Sequence, residues 1–151
     1  MLARMSTPTF AINAILAADG SVPDWIELLP AGPSISGRDG RSWTLGDPNA
    51  IVRAFRSHDG PIPIDWEHAS EVRAPNGLDA PAAGWITEME VRDGAVWGRA
   101  EWTAPAANQI SAKQYRFLSP VFTYSKADHQ IMALLSAGLT NQPNLKMTAL
   151  N

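Results

Sequence analysis

Gly84-Trp-Ile-Thr-Glu-Met-Glu-Val91, then Arg92-Asp93-Gly94, then Ala95-Val-Trp-Gly-Arg-Ala-Glu-Trp102 reads as a β-hairpin. Two runs rich in β-branched and aromatic residues flank Asp-Gly, a dipeptide suited to the positive φ angles of a tight hairpin turn. Strict period-two alternation puts Trp85, Thr87, Met89 and Val91 on one face and Ile86, Glu88 and Glu90 on the other. Upstream, Trp25-Ile-Glu-Leu-Leu29 reads as a strand ended by Pro30-Ala-Gly-Pro33, Gly37-Arg-Asp-Gly-Arg41 as a tight turn, and Ser42 to Leu45 as a short strand. Asp47-Pro48 supplies a helix N-cap and a first-turn proline. The helix they open, Asn49 to Ser57, has Ile51, Val52 and Phe55 on its apolar face and Arg53 and Arg56 toward the opposite one. Asp59-Gly60-Pro61 stops it, and the prolines of Ile62-Pro-Ile-Asp-Trp-Glu-His68 keep that segment extended.

Residues 69 to 82, rich in Ala, Pro, Asn and Gly, read as an exposed loop. Downstream of the hairpin come a short helix between Thr103 and Gln114 and an aromatic-rich strand from Tyr115 to Tyr124, broken by Pro120. A turn at Asp128-His129-Gln130 leads into a last strand over Ile131 to Leu135. Many short strands against two short helices predict an α+β fold: a strongly bent, antiparallel, barrel-like sheet with a few short helices outside it. Near the start, Phe10 to Ala18 superficially resembles a signal peptide. Asn13 interrupts its apolar run, so it is read as a first strand or short helix of the domain, followed by a turn over Ala17 to Ser21.

Composition narrows the function classes. The 151 residues suit a single domain over 1–151. A hydrophobic share of 45% with 18% charged residues excludes a disordered chain. The net charge of −3 and the lack of a basic block argue against nucleic acid as a partner. No cysteine is present, which removes a thiolate nucleophile and sulfur-ligated zinc. No apolar run approaches the roughly 20 residues that span a bilayer, so no membrane partner is expected. No cofactor or metal is called for.

Two segments carry candidate chemistry. In Asp65-Trp66-Glu67-His68 a histidine lies beside carboxyl groups that could fix its tautomer, the arrangement of a general base. The same residues are ordinary in a surface loop at a strand end, and as a metal site they lack a second ligand cluster. In Arg116-Phe-Leu-Ser-Pro-Val-Phe122 a single hydroxyl, Ser119, sits among large side chains that would hold a nucleophile rigidly. A plain Ser-Pro turn is the alternative.

These segments, with Leu28-Leu-Pro-Ala-Gly32, Ala83-Gly-Trp-Ile86 and Gly138-Leu-Thr-Asn-Gln-Pro143, resemble in order and spacing the Mu-like phage prohead proteases. In that family an N-terminal protease part precedes a C-terminal scaffold region, which lies outside these residues. The wider group of prohead proteases is similar to the herpesvirus maturation protease, which implies an assemblin-like bent barrel with surrounding helices. The histidine precedes the serine there, as His68 precedes Ser119 here. The resemblance thus implies a serine endopeptidase with Ser119 as nucleophile and His68 as general base. It also implies the phage scaffold and major capsid protein as substrates or binding partners, possible homo-oligomers, and action in the host cytoplasm inside the assembling prohead. Relatives carry a third His or Glu in the strand before the closing proline, where this chain has Ser136. Asp65 is taken as the substitute, although three residues along an extended strand would point it away from His68. Glu67, a water, or a two-residue site are the alternatives. A non-catalytic capsid-assembly module is the competing reading of the whole chain.

Overall fold

The structure, a computed structural model, describes residues 2–5, 22–143, 145 and 150. The candidate N-terminal element and the turn after it, at 10–21, lie outside the described residues. In chain order the elements are β1 (Leu2–Met5), β2 (Trp25–Leu29), β3 (Ser34–Ser36), β4 (Ser42–Thr44), α1 (Pro48–Ser57), β5 (Ile62–Trp66) and α2 (Ala69–Val72). A 3-10 turn (Ala74–Asn76), β6 (Gly84–Arg92), β7 (Ala95–Trp102), α3 (Ala104–Ser111), β8 (Phe117–Ser125) and β9 (Ile131–Thr140) follow. Seven strands form one sheet in the order β1-β8-β9-β5-β6-β7-β2, and β3 and β4 form a separate ribbon. The large sheet curls into a half-barrel, an α+β architecture.

The hairpin forms where expected. β6 and β7 pair antiparallel and turn through Asp93 and Gly94 at φ 49° and 83°. Its strict alternation does not hold. The register shifts between Ile86 and Glu88, a bulge that adds one residue to β6 and reverses the phase of its side chains. Ile86 and Met89 are therefore both buried, while Trp85 stays 42% exposed. The helix start also forms as read: Asp47 Oδ1 accepts from the Asn49 N–H at 3.1 Å. α1 lays Ile51 and Val52 against β9, β6 and β7, and Arg53 and Arg56 face solvent.

Other expectations are corrected. The sheet is not wholly antiparallel, because β9 lies parallel to β5. A parallel neighbour needs a long crossover, and the chain from Glu67 to Gln130 supplies one, so nothing local could announce the pairing. Residues 69–82 are not a bare loop but hold α2 and the 3-10 turn. Pro120 does not break β8, which pairs with β9 through it. On its other side, among the described residues, β8 meets β1 only from Phe122 onward, so no described strand there needs the N–H that Pro120 lacks. β9 runs on to Thr140 through Ser136-Ala-Gly138, weak strand formers held by partners on both sides. The β3–β4 ribbon is clasped to β8 by Trp43, whose ring meets Phe122 edge-on at 5.3 Å.

Candidate active site

Three strands build the site. Ser119 on β8 stands opposite Gly138 on β9, and Asp65 on β5 stands opposite the same Gly138. Residues opposite each other on neighbouring strands send their side chains to the same face. Ser119, Gly138 and Asp65 thus form one row across the sheet, with a side chain missing in the middle. Adjacent strands are about 4.8 Å apart, so the outer two members are separated by about 9.5 Å. That is too far for serine and carboxyl to meet directly.

His68 fills the interval. β5 ends at Trp66, and Glu67 and His68 both take left-handed angles, φ 52° and 60°. Two successive residues of this kind reverse the chain, and the backbone is pinned there by Glu67 N–H donating to Leu139 O at 2.9 Å. The ring is thereby brought back over the sheet, with Nε2 3.1 Å from Ser119 Oγ. Asp65 and His68 do not diverge as an extended strand would make them. Asp65 Oδ1 and His68 Nδ1 lie 2.9 Å and 3.0 Å from the point where a Gly138 Cβ would be, and so within about 6 Å of each other. Asp65 Oδ2 is held by the Ser70 N–H at 3.1 Å. Oδ1 and Nδ1 are both buried without a hydrogen-bond partner among the described residues.

Burial pushes the His68 pKa below its usual value of 6.5. Asp65 opposes that shift most strongly, ahead of Glu71 and Glu67. Desolvation wins, so the imidazole is neutral at pH 7 and available to take a proton. Glu67 stands apart on the exposed rim, accepting from the Tyr115 hydroxyl at 3.3 Å. Ser136 is buried two residues before Gly138, and its Oγ has no partner among the described residues.

Ser119 is only 1% exposed, and forms the floor of a hollow of about 390 Å³ whose walls include His68, Glu67 and Thr140–Gln142. Glu67 also borders a second hollow of about 540 Å³, lined by Trp66, Ala69, Arg73, Asp79 and Pro81. The Trp66 indole N–H donates to Gln109 Oε1 on α3 at 2.6 Å, which fixes the ring as part of that wall. Among the described residues no three His, Asp or Glu side chains gather as metal ligands would.

Sequence reasoning named Ser119, His68 and Asp65, and the structure brings all three together. It did not single out Asn141, which accepts from the Arg116 N–H at 3.1 Å and donates to Gln114 O at 2.9 Å, tying the start of β8 to the end of β9. Nor did it weigh Gly138 as a site residue. A lone glycine inside the apolar run Leu134 to Leu139 was the available signal, since such a residue marks a close approach in a strand.

Over 160 residues the chain is 34% identical to Protease I of Escherichia phage Mu, an alignment covering 93% of this chain and 43% of that protein. It is 31% identical over 150 residues to the Mu-like prophage FluMu I protein of Haemophilus influenzae, covering 87% of this chain and 41% of that protein. The chain therefore spans less than half the length of these curated relatives. No solved structure matches. Residues 26–151 match the model of the Mu-like prophage I protein N-terminal domain. The chain belongs to the Mu-like prophage I protein family.

Proposed function

We propose that this domain is a serine endopeptidase of phage capsid maturation, with Ser119 as nucleophile, His68 as general base and Asp65 as the group that orients His68. The observation that carries the reading is the 3.1 Å contact between Ser119 Oγ and His68 Nε2, the geometry a nucleophile and its base require. Ser119 Oγ attacks the scissile carbonyl carbon while its proton passes to Nε2. The imidazolium formed is stabilised by Asp65 and returns the proton to the leaving amine. Water then hydrolyses the acyl-enzyme by the same route. The Trp66-lined hollow beside the site takes an apolar side chain of the substrate.

A phage Mu relative bearing the name Protease I supports peptidase chemistry. The resemblance to prohead proteases supports the scaffold protein, the chain itself and the major capsid protein as substrates, inside the prohead in the host cytoplasm. It also supports an assemblin-like fold and possible homo-oligomers. The test is Ser119→Ala against incubation with scaffold protein. Cleavage is expected to disappear, and a fluorophosphonate should label the parent protein at Ser119 by mass spectrometry. Undiminished cleavage by Ser119→Ala, or labelling at another serine, overturns the assignment.

A further inference from the structure

We propose that Gly138 is a positioning residue of the Ser119–His68 pair: the side chain it lacks leaves the seat in which the His68 imidazole rests. The inference deepens the proposed peptidase reading and rests on it for its catalytic meaning, although the seat itself is measurable without activity.

Glycine at this position is not required by the backbone. Gly138 is absent from the glycines with positive φ, so an alanine would meet no conformational penalty there. Glycine also weakens a strand interior, and β9 has strands on both sides. What forbids a side chain is space on one face. A Cβ would lie 2.9 Å from Asp65 Oδ1, 3.0 Å from His68 Nδ1 and 3.0 Å from the His68 backbone nitrogen. None of the three can retreat freely. Asp65 is held through Oδ2 by the Ser70 N–H, the His68 nitrogen belongs to the left-handed turn, and the ring is spanned toward Ser119. The register adds the functional half of the argument. Gly138 is the cross-strand neighbour of both Ser119 and Asp65. Any side chain there would occupy the interval that the imidazole bridges. It would crowd the Asp65 carboxyl and the ring together and move the ring away from Oγ, leaving Ser119 in place.

Gly138→Ala is the direct test. With scaffold protein as substrate, kcat is expected to fall about 100-fold or more with KM within about threefold, because a misplacement near 1 Å costs about that much. Titration of His68 by ¹⁵N NMR should give a pKa raised toward or above 6.5, since a displaced ring regains water. Gly98→Ala crowds only Leu28 and Ile86 in the core, and should leave the His68 titration unchanged. Stability in urea, measured as a double-mutant cycle with His68→Ala, keeps the test decisive if Gly138→Ala alone does not fold. Once the ring is removed, one of the three close contacts is gone, and alanine at 138 should cost less stability than it does in the parent. Overturning results are kcat within threefold of the parent, an unmoved His68 pKa, or the same loss of stability with and without the ring. Cleavage retained by Ser119→Ala would instead sink the peptidase reading and leave the seat standing. Loss in Ser119→Ala with full activity in Gly138→Ala would sink this inference alone.

Discussion

Glu27 should make the domain less stable as pH rises through neutrality, and Glu27→Gln should remove that loss. Glu27 lies on β2 opposite Trp97 of β7, half-buried and without a hydrogen bond or ion pair among the described residues. Burial pushes its pKa from 4.5 up to about 7. The folded state therefore holds a proton that the unfolded chain has released between those two values. Folding is unpenalised below 4.5, loses stability as pH rises from there, and carries the full loss above about 7. At 1.36 kcal/mol per pH unit the ceiling is about 3 kcal/mol. Solvent reaches part of this side chain, and screening reduces the expected effect to about 1 kcal/mol. Glutamine copies the neutral form, so Glu27→Gln should gain about 1 kcal/mol at pH 8.5, a rise of about 2–4 °C in Tm for a domain of this size. At pH 5, inside the titration range, the gain should be about half of that. Urea midpoints for both proteins at both pH values decide it. An equal gain at pH 5 and 8.5, or none at 8.5, would refute the ionisation argument.

The acid limb of proteolysis should fall below pH 6.5, because burial lowers the His68 pKa. Asp65→Asn should move that limb lower still and reduce kcat, whereas Glu67→Gln should move it less; pH–rate profiles of the three proteins check the order. Trp66→Ala should raise KM for peptides with a large apolar residue beside the scissile bond, with little change for peptides bearing alanine there. Phe122→Ala should destabilise the domain by about 3–5 kcal/mol, since Phe122 is fully buried and carries the Trp43 clasp; urea denaturation measures it.

Local chemistry explains what could be read from the sequence. The Asp93-Gly94 turn, the Asp47-Pro48 helix start and the β2 strand each follow from a few adjacent residues. The Thr87 bulge did not show, because alternation carries no mark of an inserted residue. The β5–β9 pairing is set by contacts far apart in sequence, and it is this pairing that puts Asp65 in the row with Ser119. Ser119 and His68 stood out because a hydroxyl among aromatics and a histidine among carboxyl groups are chemically conspicuous. An extended segment through Glu67 would part Asp65 from His68, and the left-handed turn brings them together instead. Two consecutive left-handed residues that are not glycine leave no compositional trace.

β9 is the last strand of the described chain, and it lies between the two strands that hold Ser119 and Asp65. Until it inserts, β8 and β5 have no common neighbour, and Leu139 O is not there to pin the turn that carries His68. Non-local closures of this kind come late in folding. A nascent chain that has not yet threaded residues 131–140 into the sheet holds the reactive groups in separate pieces. On the proposed peptidase reading, such a chain has no assembled nucleophile and base until residues 131–140 have been made and inserted. The topology is in this sense a timer: the row of Ser119, Gly138 and Asp65 exists only once β9 is in place.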